Sequence, residues 1–159
     1  MTIEVEIQAE AWTVALPNAE AIVELAGEAV LSQLAPSDLA EPLVVVLLTD
    51  DDTVADLNQR FRGKPGPTNV LSFPAPPNPE GQIGDIALAY GVCAYEAALQ
   101  GKSLEHHLMH LTVHGVLHLL GYDHETDSEA EAMEALERSI LETLGVSDPY
   151  AADRAEDLN

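Results

Sequence analysis

The sequence predicts an α/β (α+β) fold: a single domain in which a mixed four-stranded sheet is surrounded by helices. Three observations predict it. Strand-length segments that alternate or run apolar are interleaved with segments of helical periodicity, in the order β-α-β-α-β-β-α-α-α. The 159 residues suit one domain, large enough to bury roughly 70% of its unfolded surface. Finally, one apolar helix near residues 104–120 carries histidines at one-turn spacing, so the most buried element is also the most chemically loaded.

Residues 2–8 alternate Ile3, Val5 and Ile7 against Glu4 and Glu6, the period of a half-buried strand. After Pro17-Asn18, the spacing of Ala21, Ile22, Leu25, Ala29, Val30 and Leu34 predicts a helix ending near residue 34. Pro36-Ser37-Asp38 reads as loop. Residues 42–49, apolar on both faces and rich in β-branched side chains, read as a central strand. Asp50-Asp51-Asp52 then opens a helix through Arg62, where capping of free N–H groups explains the acidic triplet better than a metal site does. Gly63-Lys64-Pro65-Gly66-Pro67 is a shaped loop, and residues 69–73 form a short strand. Four prolines between Pro74 and Gly81 make a stiff surface loop. Residues 83–90 alternate again and pair with the preceding strand as a hairpin. A helix over 92–99 ends at Gly101, and Ser103 caps the next, 104 to about 120. The last helix spans 128–145, with Ser128 to Glu131 as its capping turn and Met133, Leu136, Ile140, Leu141 and Leu144 as its buried stripe. Residues 146–159 read as a polar, acidic, flexible tail.

Composition narrows the function classes. No apolar run approaches the ~20 residues of a membrane span, and the N-terminus lacks the basic start and apolar run of a secretion signal. The single cysteine, Cys93, excludes an internal disulfide, fits a reducing cytoplasm and reads as a small packing residue. A net charge of −22 works against any polyanionic partner. Of only six cationic residues, however, Arg60, Arg62 and Lys64 fall within five positions, where a phosphate can lie. The competing reading is that cations simply suit the C-terminal end of a helix. The acidic exterior fits a salt-rich cell interior or an acid-tolerant surface.

The chemistry concentrates in His114-Gly115-Val116-Leu117-His118-Leu119-Leu120-Gly121-Tyr122-Asp123-His124. His114 and His118 lie one helical turn apart on one face, with about 6 Å between their Cβ atoms. A straight helix would carry His124 too far to share their ion, but Gly121 lets the chain turn back and bring it round. Three imidazoles and one open position describe a catalytic zinc site rather than a structural one. A pair of histidines alone is more simply read as hydrogen-bonded core residues; the third histidine and the glycine shift the balance. This spacing is shared with the zinc-protease motif H-E-x-x-H-x-x-G-x-x-H, except that Gly115 stands where a peptidase keeps its general base. His106 and His107 stay outside the metal set, and His110, one turn before His114, is either a partner to a ligand or an ordinary core histidine.

The motif from His114 to His124 resembles the signature of the YbeY family, bacterial single-strand endoribonucleases and rRNA maturation factors. The block Arg62 to Pro74 (R-G-K-P-G-P-T-N-V-L-S-F-P) resembles that family's second motif, and Ile83-Gly84-Asp85-Ile86 a third. The resemblance runs from about Leu57 to Leu144. It implies a zincin-like metal-hydrolase domain over residues 1–145 with the metal-binding helix central, and a cytoplasmic, single-strand-specific endoribonuclease acting in 16S rRNA 3′-end maturation and ribosome quality control. Its metal ligands would be His114, His118 and His124, with one Zn2+ per chain, other divalent metals remaining open. Its nucleophile would be zinc-bound water or the ribose 2′-OH, and Arg62 the catalytic cation on the phosphate. Arg60, Lys64, Thr68, Asn69 and Ser72 are candidate substrate contacts, the last three being equally readable as satisfying backbone groups at the strand entrance. Asp85, His110 and Asp123 are candidates for orienting a histidine, with Asp123 also readable as capping the turn after Gly121. The expected partners are single-stranded RNA, ribosomal proteins or assembly factors, with no DNA and no membrane. The family pattern usually has an acid three residues after the arginine; this chain has Pro65, then Gly66, so loop stiffness would have to hold Arg62. Two other readings stand beside this one: a ribosome-associated assembly factor with a structural zinc, and a zinc peptidase.

Overall fold

Apolar alternation and helical stripes resolve into four strands and six helices in the computed structural model, counted over the residues it describes, 2–35 and 41–150. In chain order these are β1 (Thr2–Ile7), α1 (Ala11–Ala15), α2 (Ala19–Leu34), β2 (Leu43–Thr49), α3 (Asp51–Arg62), β3 (Val70–Pro74), β4 (Gln82–Ala89), α4 (Tyr90–Gln100), α5 (Leu104–Leu119) and α6 (Asp127–Thr143). The expected loop at Pro36-Ser37-Asp38 lies outside the described residues, as do residues 151–159.

The strands form one sheet in the order β1-β2-β4-β3, with β1, β2 and β4 parallel and β3 antiparallel to β4. Strand β2 is apolar on both faces because it has a neighbour on each side and helices above and below. On one face Ile3, Val44, Val46, Leu48, Ile86 and Leu88 pack against α2 and α5 in the main core. On the other, Leu71, Ala87 and Ala89 close a smaller core with Val54 of α3. Each fully buried Val, Leu or Ile contributes roughly 1.5–3 kcal/mol. Helix α5 lies nearly buried along most of its length, with Leu108, Val113, Val116 and Leu117 fully enclosed, so its histidines have protein on most sides.

Caps and turns follow the sequence with two differences. Asp50 accepts the Thr53 N–H at 2.8 Å to cap α3, while Asp51 reaches across to accept the Val92 N–H at 3.1 Å in the first turn of α4. The acidic triplet therefore serves two helices. Ser103 caps α5 by accepting the His106 N–H at 3.1 Å. The cap of α6 is Thr126, two residues before the expected Ser128: its hydroxyl accepts the Glu129 N–H at 3.2 Å and donates to the Glu129 carboxylate at 3.0 Å. The second difference is α1, too short to show a period in sequence. It exists to seat Trp12, which is fully buried, donates its indole N–H to the Thr49 carbonyl at 2.9 Å and meets the Tyr90 ring edge-on.

Residues 146–150, placed above in the tail, pack onto α6. Val146 is buried and donates its N–H to the Leu141 carbonyl at 2.9 Å.

Two contacts press the metal-bearing helix onto the sheet. The Ser72 hydroxyl donates to the Gly115 carbonyl at 3.1 Å. Gly84 lies beneath Leu119: a Cβ built there would collide with the Phe73 carbonyl oxygen and sit 2.6 Å from Leu119 Cδ2. Gly84→Ala therefore forces β4 and α5 apart and is expected to lower stability by about 1–3 kcal/mol, read as a lower urea midpoint at unchanged m-value; an unchanged midpoint would show that the contact yields.

Candidate metal centre

The site begins where α5 ends. Gly121 adopts φ 99°; the Gly121 N–H returns to the His118 carbonyl at 3.0 Å and the Tyr122 N–H to the Leu117 carbonyl at 3.1 Å. That paired reversal is the Schellman closure, which needs a residue free to take positive φ. It swings the chain back so that His124 faces the two helical histidines. One ring nitrogen from each of His114, His118 and His124 can be chosen such that all three lie within 4.8 Å of one another. The ring centroids are 4.6 Å apart for His114 and His118, 5.1 Å for His118 and His124, and 5.7 Å for His114 and His124. Asp123 accepts the His124 N–H at 2.8 Å, so it shapes this turn rather than bonding an imidazole ring.

The donor set fits a small divalent ion. His114 Nδ1 bonds Glu137 Oε1 at 2.5 Å, so its proton is on Nδ1 and its Nε2 carries the lone pair. That Nε2 stands 3.0 Å from His118 Nε2, close to the ~3.3 Å expected of two nitrogens on one tetrahedral centre with metal–nitrogen bonds near 2.05 Å. Burial, then the neighbouring His114 and His124, push the His118 imidazole below its ordinary value, keeping it neutral and ready to ligate.

Glu137 escaped the sequence analysis. It lies fully buried on α6 between Met133 and Ile140, within the stripe read as apolar. Burial alone would raise its pKa, but hydrogen bonding from His110, His114 and Tyr150 holds it at about 2. The signal that could have found it is an acid four residues after Met133 and three before Ile140, in register with the buried face. His110 touches no metal-facing nitrogen: its Nε2 bonds the Tyr150 hydroxyl at 3.2 Å and lies 3.7 Å from Glu137 Oε1.

Beside the histidines opens a cleft of about 620 Å³, also lined by Arg62, Lys64, Thr68, Asn69 and Ser72. Two of the chain's six cations thus line the same cleft as the imidazoles. Arg62, the last residue of α3, donates from Nη2 to the Ser72 carbonyl at 3.1 Å. The loop beyond it is tied down by buried Asn58, whose amide donates to the Gly66 carbonyl at 2.9 Å; sequence reasoning had no reason to single out Asn58. Asn69 commits its amide nitrogen to Glu96 at 3.0 Å and its amide oxygen to the Val70 N–H at 2.7 Å. The hydroxyl of Ser72 is spent on Gly115, leaving Thr68 as the uncommitted polar wall residue among those three.

Other expectations fall outside the cleft. Arg60 points into solvent and pairs with Asp56 at 3.4 Å, an exposed pair of little energetic weight. Asp85 requires correction: strand alternation puts it on the sheet face opposite α5, where it accepts from Gln82 Nε2 at 2.9 Å and cannot orient a histidine. Cys93 is fully buried, its thiol donating to the Asn69 carbonyl, and burial raises its pKa so that it stays protonated and packs.

Known proteins resemble this chain along most of its length. The family model described as Endoribonuclease YbeY matches residues 4–145. A protein named Endoribonuclease YbeY from Rhodopseudomonas palustris (strain BisB18) is 53% identical over 156 residues, covering 93% of this chain and 91% of its own. Another of that name, from Bradyrhizobium sp., is 48% identical over 158 residues, covering 94% and 92%. The solution structure of TM1509 from Thermotoga maritima superposes with a TM-score of 0.55 at 26% identity, over 93% of this chain and 98% of that one.

The histidine environment carries a pH dependence. Burial lowers the pKa of His107, against a partial offset from its bond to Glu96, just as it lowers that of His118. The unfolded chain therefore takes up these protons before the folded one does, so stability present above the ordinary imidazole value of 6.5 is lost as pH falls below it. Urea unfolding of chelator-treated protein should show declining stability between about pH 7 and about pH 5; a flat profile would contradict this.

Proposed function

The chain belongs to the YbeY endoribonuclease family, and from that premise we propose that it is a metal-dependent, single-strand-specific endoribonuclease that hydrolyses RNA phosphodiester bonds in rRNA processing, at the 3′ end of 16S rRNA, and in ribosome quality control. One observation carries the reading: three imidazoles converge in a cleft that also holds Arg62 and Lys64. Zinc suits the all-nitrogen donor set, and when bound it would supply a Lewis acid for a phosphoryl oxygen and lower the pKa of water to roughly 7. His114, His118 and His124 are its ligands in this proposal.

The chain's own residues do the rest. Glu137 keeps the His114 proton on Nδ1, so Nε2 is always presented to the cleft. Arg62 offers a planar fork that holds two phosphate oxygens and stabilises the charge developing on them. Its bond to the Ser72 carbonyl aims that fork. Lys64 adds a second positive charge on the RNA backbone, and Thr68 a hydroxyl for phosphate or sugar. Position 115 supplies no general base. A Cβ there would already stand 3.0 Å from Ile86 Cδ1 and 3.3 Å from Ser72 Oγ. That crowding weighs against the peptidase reading.

A second reading draws on the net charge of −22. Such a surface suits basic ribosomal proteins better than naked RNA, so an assembly factor with a structural zinc is the rival. Structural zinc sites ordinarily take four protein ligands, whereas the cluster found among the described residues has three. That difference favours catalysis, and docking to basic proteins in the cytoplasm is compatible with it.

The test is cleavage of single-stranded RNA, with duplex RNA and casein as controls, alongside metal analysis. Wild type should cut the single strand and stop when chelated. His114→Ala should lose both metal and cleavage. Arg62→Ala should keep its metal while losing on the order of 10²–10³ in rate. If wild type and both variants cut at one shared trace rate, the nuclease reading is wrong.

A further inference from the structure

Glu137 has two oxygens, and the bond to His114 uses one. The other accepts the Tyr150 hydroxyl at 2.5 Å. Tyr150 comes from beyond the last helix, on a segment held at several points. Gly145, at φ 77°, reverses the chain after α6, with its N–H on the Glu142 carbonyl at 3.1 Å. Buried Val146 follows, and Arg138 of α6 pairs with Asp148 at 4.0 Å. Asp148 in turn accepts the Tyr150 N–H at 2.8 Å. The Tyr150 ring meets His110 edge-on at 5.4 Å, and because its hydroxyl proton is committed to Glu137, the contact with His110 is a donation from His110 Nε2 to the phenol oxygen.

We propose that residues 146–150 form a strap that sets metal affinity, with Tyr150 and His110 as positioning residues that lock Glu137 in the orientation presenting His114 Nε2 to the ion. The inference rests on reading the three histidines as a metal site, but it does not depend on the RNA chemistry. A glutamate side chain has three rotatable bonds, and a single bond from His114 leaves its carboxylate free to turn. The second oxygen, clamped from outside the helix pair, removes that freedom. Because the clamp comes from a different segment than the ligands, metal retention depends on a stretch of chain that contributes no ligand.

Competition with a chromophoric chelator, using full-length protein and Zn2+, tests this. Tyr150→Phe keeps the ring on His110 and deletes only the hydroxyl; it should weaken zinc binding about 10-fold, and Glu137→Gln by up to about 100-fold. One further readout separates positioning from packing. The visible spectrum of the Co2+-loaded Tyr150→Phe protein should change in position or intensity, which a loss of packing away from the ion would not produce. Equal zinc affinities for wild type and Tyr150→Phe would overturn the strap while leaving the metal site intact. So would a Co2+ spectrum of Tyr150→Phe identical to that of wild type. A wild type that binds no zinc would overturn the metal reading itself, and the strap with it.

Discussion

The rest of this structure depends on a carboxylate with no exposure to water. Glu137 sits in the seam between α5 and α6, among the side chains that glue the two helices together. Burying a charge there is costly unless its lone pairs are filled by donors. His114, Tyr150 and, at longer range, His110 fill them. The condition for docking α6 is thus the condition for orienting His114, and packing cannot be optimised apart from the site. An apolar side chain of similar size would suit the helix seam and leave the His114 proton without an acceptor.

Electrostatics outside this seam oppose the proposed chemistry, and the cleft is where the opposition is relieved. With 28 acidic residues against six basic ones, a phosphate approaching at random meets repulsion. Arg62 and Lys64 line the cleft, yet Asp123 and Glu125 share it. Two cations can hold one phosphate in place, but they are too few to draw in a long RNA. A basic protein bound alongside would resolve this, because it could lie on the acidic exterior while leaving the cleft open.

What could be seen in the sequence was what repeats or what has fixed spacing. Strand alternation gave β1 and the β3–β4 hairpin, the doubly apolar run gave β2, and the interval from His118 through Gly121 to His124 foretold the reversal that brings the third imidazole round. What was hidden has no period. Helix α1 is one turn built to bury a single tryptophan, whose partner Thr49 lies 37 residues away. Glu137 joins His114 across 23 residues, and a stripe of apolar spacing conceals one acid easily. Asp85 misled because a motif names a residue without saying which sheet face it takes; its chain neighbours Gly84 and Ile86 face α5, so strand alternation turns Asp85 away.

Gly115 shows how one small residue can govern both packing and chemistry. Without a side chain, α5 lies close enough to the sheet for its Gly115 carbonyl to receive the Ser72 hydroxyl, and the Ser72 carbonyl receives Arg62. A continuous path therefore runs from the metal-bearing helix through one residue of β3 to the guanidinium. A larger residue at 115 would press on Ile86 and Ser72 and so lengthen the first link of that path. The separation between Arg62 and the imidazoles is thereby set by backbone contacts rather than by a flexible loop. Three residues after Arg62 the chain has Pro65, where the resemblance leads one to expect an acid, and the Ser72 carbonyl gives Arg62 a fixed partner. The same close approach that fixes the arginine crowds any side chain at position 115, which weighs against a peptidase base there.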